Sequence, residues 1–260
     1  MVDCTCKGLK MKIAVITGGA NGIGLGILKH FISNHVYCYI FDKDELALEK
    51  AVSLSPNLIE SIKVDLTDDK DVEQAFKVVI KKHNQINYLI CNAGIAIRKW
   101  AFDFTMNEYD RLMSVNLRAY YLCAKIAAKY MYEQKTRGSI VCISSVNSIS
   151  YHSKRSLYNI SKAAINGMVG TLGVEWARFG IRINAVAPGY VLTDLLKKGI
   201  EEGIVDEKNI MSVIPMKRYI TIDEIARTVY FLASDESSGI TGQVICVDGG
   251  WSKNALPENY

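Results

Sequence analysis

Short apolar runs alternate with longer amphipathic segments along this chain. The runs KIAVIT (12–17), VYCYIF (36–41), ESIKV (60–64), YLICN (88–92), SIVCIS (139–144), RINAVA (182–187) and QVICV (243–247) have the length of strands. Several are apolar nearly throughout, the pattern of strands buried on both faces. Between them, residues 23–33, 69–82, 108–133, 157–178 and 222–233 repeat apolar positions with a helical period. Strand, helix, strand in repetition calls for right-handed crossovers and a mostly parallel sheet covered on both sides. The pattern predicts an α/β chain, a doubly wound parallel sheet of about seven strands with helices on both faces.

A chain of 260 residues suits one large α/β domain or two small ones. No internal repeat, low-complexity segment or Pro/Ser-rich linker divides it, so residues 1–260 read as a single domain. The last residues, SKNALPENY, read as a polar tail or a packed extension. The net charge of +4 is scattered, with no basic run of the kind that binds nucleic acid. No stretch approaches the roughly 20 apolar residues that span a bilayer. The N-terminal segment has no apolar signal core, so the expectation is a cytoplasmic protein without a membrane partner.

Seven cysteines leave at least one unpaired. Cys38, Cys91, Cys142 and Cys246 fall inside apolar runs, where cysteine packs as a small hydrophobe. Cys4 and Cys6 lack the C-x-x-C spacing of a zinc or redox site. The expectation is reduced structural thiols. No His/Cys/Asp set has ligand spacing for a catalytic metal.

The first strand runs into TGGANGIG, Thr17 to Gly24. Gly18, Gly22 and Gly24 lie where a strand closes and a helix opens, with Asn21 and Ile23 between them. Glycine lets the backbone turn tightly and lets a pyrophosphate approach without a Cβ in the way. The helix N-terminus supplies unpaired N–H groups and partial positive charge. The spacing is G-x-x-x-G-x-G rather than G-x-G-x-x-G. After the second strand comes FDKDE. Asp42 stands where a carboxylate would bind a ribose 2′-hydroxyl, and it would repel a 2′-phosphate. That favours NAD over NADP. Asp42 could equally cap a turn, a task Asp44 could also fill, and Lys43 offers a charge that would neutralise a phosphate.

The pentapeptide YNISK, Tyr158 to Lys162, puts a phenol and an ammonium four residues apart, on one face if helical. The same spacing occurs at Tyr39/Lys43 and Tyr121/Lys125, so it carries little alone. Tyr39 lies in a strand, and nothing ties Tyr121 to a strand end. Tyr158 instead follows the fifth strand by a loop and opens a long helix. Ser145 stands at the end of that strand. In open α/β sheets ligands bind beyond the carboxyl ends of the strands, so both side chains can reach one site.

Together TGGANGIG, NAG (Asn92 to Gly94), YNISK and APG (Ala187 to Gly189) resemble the short-chain dehydrogenase/reductase family over residues 12 to about 251. The resemblance implies a Rossmann-type fold and a catalytic set of Asn116, Ser145, Tyr158 and Lys162. Tyr158 would be the general acid/base. Its pKa, ~10 when free, would be lowered toward neutrality by the Lys162 ammonium and an oxidised nicotinamide. Lys162 would also bind the nicotinamide ribose, Ser145 would steady the substrate oxygen, with Ser144 its rival, and Asn116 would hold a water. Asp65 and Leu66 would contact adenine. Asn92, Ala93 and Gly94 would let the chain pass close to the cofactor, and Val191 and Thr193 would hold the carboxamide.

The resemblance also implies a mobile substrate lid over about 190–215. Subunit packing through 108–133 and 157–178, with a second contact through 238–251, implies a homotetramer, or at least a homodimer. On the substrate side stand Leu195, Leu196, Lys197 and Lys198; Arg98, Lys99, Trp100 and Phe102; and Asn147, His152, Lys154 and Arg155. A basic rim would favour an anionic substrate; a merely solvated surface has the same composition. The expected reaction is hydride transfer between NAD and a secondary alcohol or ketone, such as a polyol, sugar or hydroxysteroid-like compound. The alternatives are a 3-oxoacyl thioester (acyl-carrier) reductase using NADPH and a nucleotide-binding sensor without turnover.

Overall fold

The computed structural model describes residues 11–202 and 206–254. Cys4, Cys6, part of the lid segment (203–205) and the end of the tail (255–260) lie outside the described residues.

Seven parallel strands form one sheet in the order β3-β2-β1-β4-β5-β6-β7. They are β1 (Ile13–Thr17), β2 (Tyr37–Asp42), β3 (Ile59–Lys63), β4 (Tyr88–Cys91), β5 (Ser139–Ile143), β6 (Arg182–Pro188) and β7 (Val244–Val247). The helices are α1 (Gly22–Ser33), α2 (Glu45–Val52), α3 (Asp69–His83), α4 (Met106–Met113), α5 (Ala119–Glu133), α6 (Ser156–Ala177), α7 (Asp194–Glu201), α8 (Glu207–Val213) and α9 (Ile222–Ala233). The expected Rossmann-type architecture is present.

Side chains alternate across each strand, so β1 feeds two cores. Val15 joins Tyr39, Phe41 and Leu89 under α3, α5 and α6, where Phe76, Tyr120 and Ile165 are fully buried or nearly so. Ala14 and Ile16 join Ile40 and Ile90 under α1 and α9. There Gly26 lets the two helices meet: a Cβ on it would lie 2.0 Å from Ile222 Cγ2. Burial on both faces explains why these strands read as continuous apolar runs.

Helix starts follow local chemistry. Asp44 caps α2 by accepting from Ala47 N, and Asp68 caps α3. Thr105 with Glu108 and Thr221 with Glu224 form reciprocal capping boxes on α4 and α9.

One element departs from its expected form. The helix expected over 108–133 is interrupted by a π turn at Ser114–Arg118, between α4 and α5. The wider turn carries Asn116 into the interior, where it is fully buried. The short helices α2, α7 and α8 carry too few turns to stand out as a periodic pattern.

Because all strands are parallel, their carboxyl ends share one edge. The strand order reverses between β1 and β4, since the chain winds outward to β3 before returning. A crevice at such a reversal is where ligands bind in open α/β sheets. No helix among the described residues is long and apolar enough to cross a membrane. Cys38, Cys91, Cys123 and Cys142 are free and buried, and Cys246 is free and partly exposed.

Candidate active site

The glycine turn is stitched to the segment after β4. Thr17 Oγ1 accepts from Asn92 N (3.0 Å) and Ala93 N (3.3 Å), while Asn92 Nδ2 donates to the carbonyls of Thr17 (3.1 Å) and Gly18 (2.9 Å). Gly18 has φ +63°, and a Cβ there would lie 2.8 Å from Ala93 Cα. A Cβ on Gly24 would fall 2.0 Å from the Gly18 carbonyl oxygen. Asn92 thus serves the site by holding the turn.

Gly22 differs. Its φ is +53°, and a Cβ would meet no atom within 4 Å. Asn21, the N-cap of α1, makes no side-chain cap bond, and the first turn holds no acid. The N–H groups opening this 12-residue helix are therefore left for an anion. A glycine beside open space and an uncapped helix start fit a dinucleotide's diphosphate.

A cavity of about 590 Å³ runs along the ends of β1 to β4, lined by Gly18, Asn21, Gly22, Asp42, Asp65, Leu66, Asn92, Ala93 and Gly94 among others. Ile23 and Gly24 do not line it; Ile23, in the first turn of α1, packs against the core, so only its main-chain N–H is available to a phosphate. Asp42 Oδ1 accepts from Lys43 N (2.8 Å) and Asp44 N (3.3 Å), and Oδ2 makes only a long contact with Ala20 N (3.4 Å). A carboxylate has about four acceptor positions, so capacity remains for hydroxyl donors. Asp65 Oδ1 accepts from Thr67 N (2.9 Å) and Thr67 Oγ1 (2.7 Å), which lower its pKa. Arg111 also lines the cavity, a residue that spacing gave no reason to single out.

Lys162 lies behind Gly94, which lines this cavity. It is 3% exposed, and its Nζ donates to the Ile143 carbonyl (2.8 Å), 5.7 Å from the centre of the Tyr158 ring. Burial pulls its pKa down to about 8, with the thiols of Cys142 and Cys91 acting weakly the other way. Asn116 grips Ile95 by both main-chain groups and donates to Ser161 Oγ (3.2 Å). A Cβ on Gly94 would lie 3.4 Å from Asn116 Oδ1 and 3.7 Å from Lys162 Nζ. The segment after β4, the π turn and α6 thus converge on one point.

Two serines compete at the end of β5. Ser144 Oγ donates to Asn166 Oδ1 (2.7 Å) and lies 3.2 Å from the Lys162 carbonyl, fully within the fold. Ser145 Oγ accepts from Asn147 N (3.1 Å) and lies near enough to the Tyr158 phenol to act against the rise of its pKa. The geometry separates the rivals in favour of Ser145. Within the protein alone, burial raises the Tyr158 pKa, and the opposing effects come from Ser145 and Arg155. Lys162, itself desolvated and turned to the Ile143 carbonyl, does not overcome that burial.

On the substrate side, Val191 is buried and bridges to Ile220, and Thr193 Oγ1 accepts from Leu196 N (3.3 Å) as the cap of α7. The Thr193 hydroxyl hydrogen remains available. Tyr190 and Trp251 were not singled out by the sequence, yet they enclose His152: ring centres lie 4.8 Å apart for His152–Trp251 and 5.0 Å for Tyr190–Trp251. Their signal was position, since both follow the carboxyl ends of parallel strands, β6 and β7. Asp248 fixes Trp251 by accepting from Gly250 N (3.0 Å) and Ser252 N (2.7 Å). Among the described residues no cluster of His, Cys, Asp or Glu could hold a metal ion.

A glycine turn beside an uncapped helix, at the reversal of a parallel sheet, with a buried lysine near a tyrosine, defines a Rossmann-type α/β protein with a candidate site at its carboxyl edge. The sequence-family profile described as "Enoyl-(Acyl carrier protein) reductase" matches residues 18–252. The chain is 36% identical over 252 residues to short-chain dehydrogenase reductase 3a of Arabidopsis thaliana, covering 95% of this chain and 98% of that one. It is 33% identical over 241 residues to an NAD-dependent glycerol dehydrogenase of Listeria innocua, covering 93% and 94%. A solved structure described as ElxO with NADP bound superposes with a TM-score of 0.89 at 32% identity, covering 94% of this chain and 99% of that one. The chain belongs to the short-chain dehydrogenase/reductase family, a family of oxidoreductases.

Proposed function

We propose that this protein transfers a hydride between NAD and a secondary alcohol or its ketone, with Tyr158 as the general acid/base. The observation that carries this reading is the convergence of Ser145, Tyr158, Lys162 and Asn116 beside Gly94, at the open end of the crevice. The bound nicotinamide would supply the hydride acceptor in oxidation and the hydride donor in reduction. Asn21, Gly22 and the α1 N-terminus would hold its diphosphate, Asp42 its adenosine ribose, Asp65 and Leu66 its adenine, and Val191 and Thr193 its carboxamide.

In oxidation, Ser145 donates a hydrogen bond to the substrate oxygen and Tyr158, as phenolate, takes the hydroxyl proton. The C–H electron pair leaves with its hydrogen as hydride, and the carbonyl forms. Reduction reverses each movement. A phenol raised by burial needs help to ionise. Lys162 gives it while protonated, since its ammonium charge favours the phenolate, and it carries that charge below its pKa of about 8. Asn116 holds the Ile95 main chain and would steady a water through which the proton taken up by Tyr158 passes to solvent.

Asp42 supports NAD because a 2′-phosphate would face its carboxylate. The glycerol dehydrogenase relative is NAD-dependent, whereas the ElxO neighbour binds NADP. The substrate class we favour is a polyol, sugar or hydroxysteroid-like compound. We further propose a cytoplasmic homotetramer (or homodimer). On α6, Ile160, Gly167 and Val174 recur every seven residues; Val174 is 80% exposed, and a Cβ on Gly167 would meet nothing. Such a stripe suits close approach of a second copy.

The test follows absorbance at 340 nm with NAD and NADP over polyols, sugars, hydroxysteroids and 3-hydroxyacyl thioesters, with Tyr158→Phe alongside. Turnover with NAD, lost in the variant, supports the reading. Turnover chiefly with NADP on acyl thioesters replaces it with an acyl-carrier reductase. Cofactor binding without any turnover would favour a sensor.

A further inference from the structure

Two loops beside the site, 95–100 and 150–155, are tied together by main chain. Lys99 N donates to the Lys154 carbonyl (3.0 Å), so Arg98 and Arg155 each lie one residue from an end of that bond, on adjoining loops. Both loops are anchored on the reaction centre. Ile95 is held by Asn116, and Asn159, the residue after Tyr158, donates from Nδ2 to the His152 carbonyl (3.0 Å) and from its main-chain N to the Arg155 carbonyl (2.8 Å).

Most cations around the site are already engaged. Lys99 pairs with Glu108 (2.5 Å), Lys197 with Asp194 (3.3 Å) and Lys198 with Glu202 (3.7 Å). Lys154 holds its ammonium 4.6 Å from the centre of the Trp100 ring. Among the described residues, Arg98 and Arg155 have no carboxylate within ion-pair distance. Arg155 is half-buried and Arg98 exposed. Both charges act inward: together with burial they depress the His152 pKa, and Arg155 favours the Tyr158 phenolate. Two guanidiniums without a carboxylate partner among the described residues, both acting on His152 and one of them on Tyr158, make a fork for an anion that arrives with the substrate.

We infer that the substrate is a ketone or alcohol carrying an anionic group, a carboxylate or a phosphate, remote from the reacting carbon and bound between Arg98 and Arg155. This deepens the oxidoreductase reading and rests on it for the reaction itself. The aromatic wall of His152, Tyr190 and Trp251 then covers the carbon chain between the two ends, while Ser145 and Tyr158 hold the oxygen. Such a substrate is bound at both ends, so the anionic end fixes the distance and face at which the carbonyl meets Tyr158.

The test uses matched probes that differ only in charge: 4-oxopentanoate, 5-oxohexanoate and 6-oxoheptanoate, each against its methyl ester, and dihydroxyacetone phosphate against dihydroxyacetone. For at least one pair the anion should have a kcat/KM roughly tenfold or more above its neutral partner. The pair that shows it distinguishes carboxylate from phosphate, and chain length gives the spacing. In Arg98→Gln and Arg155→Gln the ratio of anion to neutral should collapse toward one, mainly through KM, and the lysine variants should restore part of it. Ratios near one throughout the wild-type series, or a ratio that survives both glutamine substitutions combined, would overturn the inference.

Equilibrium binding keeps the two readings separable. Tryptophan fluorescence, reporting Trp100 and Trp251 beside the fork, is titrated with the same probes, and NADH binding is followed by its own emission. Saturable binding of acids but not esters, lost in Arg98→Gln, supports the anion fork even where no turnover occurs; in that case only the oxidoreductase reading fails. Cofactor binding with no difference between acid and ester overturns the fork and leaves the oxidoreductase reading standing.

Discussion

Asn116 holds Ile95 at both of its main-chain polar groups: Oδ1 accepts from Ile95 N (2.8 Å) and Nδ2 donates to Ile95 O (2.9 Å). The π turn that delivers Asn116 thus fixes the segment from Gly94 onward, the same segment that lies over Lys162. Asn116→Ala leaves two main-chain groups without partners, at a cost of about 1–3 kcal/mol where they stay buried. Asn116→Asp keeps the acceptor and loses the donor, so it should fall between wild type and alanine. Urea denaturation orders the three proteins, and kcat should fall in the same order. An alanine variant as stable and as active as wild type would remove the clasp from the mechanism.

The two serines at the end of β5 should separate stability from turnover. Ser144 is tied to Asn166 and lies against the Lys162 carbonyl, so Ser144→Ala should cost about 1 kcal/mol of stability. Ser145→Ala removes only a local turn bond to Asn147 N and should leave the fold nearly as stable. Its kcat should drop roughly 10²- to 10³-fold, as when a donor to a developing oxyanion is lost. The reverse pattern in kcat would exchange their roles.

Lys162 gives a pH-dependent prediction. Its pKa is about 8 in the fold against an ordinary 10.5. Below pH 8 both folded and unfolded chains carry the proton, and burying it destabilises the fold by its full amount. Between pH 8 and 10.5 the unfolded chain holds a proton that the folded chain does not, so raising the pH relieves the penalty. Lys162→Met removes the charge. At pH 7 the variant should be more stable by up to about 3 kcal/mol, less about 1 kcal/mol for the lost bond to Ile143 O. That gain should vanish by pH 10.5, while turnover is lost throughout. Denaturant midpoints at pH 7 and pH 10 decide it; an equal difference at both would mean the lysine is not desolvated.

The sheet and its reversal were legible because strands buried on both faces are written as apolar runs, and α1, α3, α6 and α9 because each is long enough to show a period. The π turn was not, since one extra residue in a helical segment leaves the apolar spacing of 108–133 nearly intact. The glycine turn and the YNISK helix were readable as residue patterns tied to a strand end. Trp251 and Tyr190 were not, because their meeting with His152 depends on how the turn after β7 folds against Ile214, Pro215 and Met216. The burial that opposes ionisation of Tyr158 was hidden for a related reason: a sequence names the neighbouring charge but not the water removed around it.

Asp42 carries the last prediction, cofactor choice. Its Oδ2 is only weakly engaged by Ala20 N, so a full negative charge borders the cavity beside Gly18. A 2′-phosphate about 4 Å away would be repelled by roughly 1–4 kcal/mol, between bulk water and the surface of a protein. Asp42→Asn removes that repulsion and also weakens the hold on a ribose 2′-hydroxyl. The ratio of kcat/KM for NADP over NAD should therefore rise roughly 5- to 1,000-fold. Lys43, exposed and one residue on, would then be free to attract the phosphate, so Asp42→Asn with Lys43→Gln should recover less NADP activity than Asp42→Asn alone. Steady-state kinetics with both cofactors on the three proteins checks the sequence of effects. A wild-type enzyme that already prefers NADP, unchanged by Asp42→Asn, would show that Lys43 and Arg111, and not the carboxylate, set the charge felt at that end of the cavity.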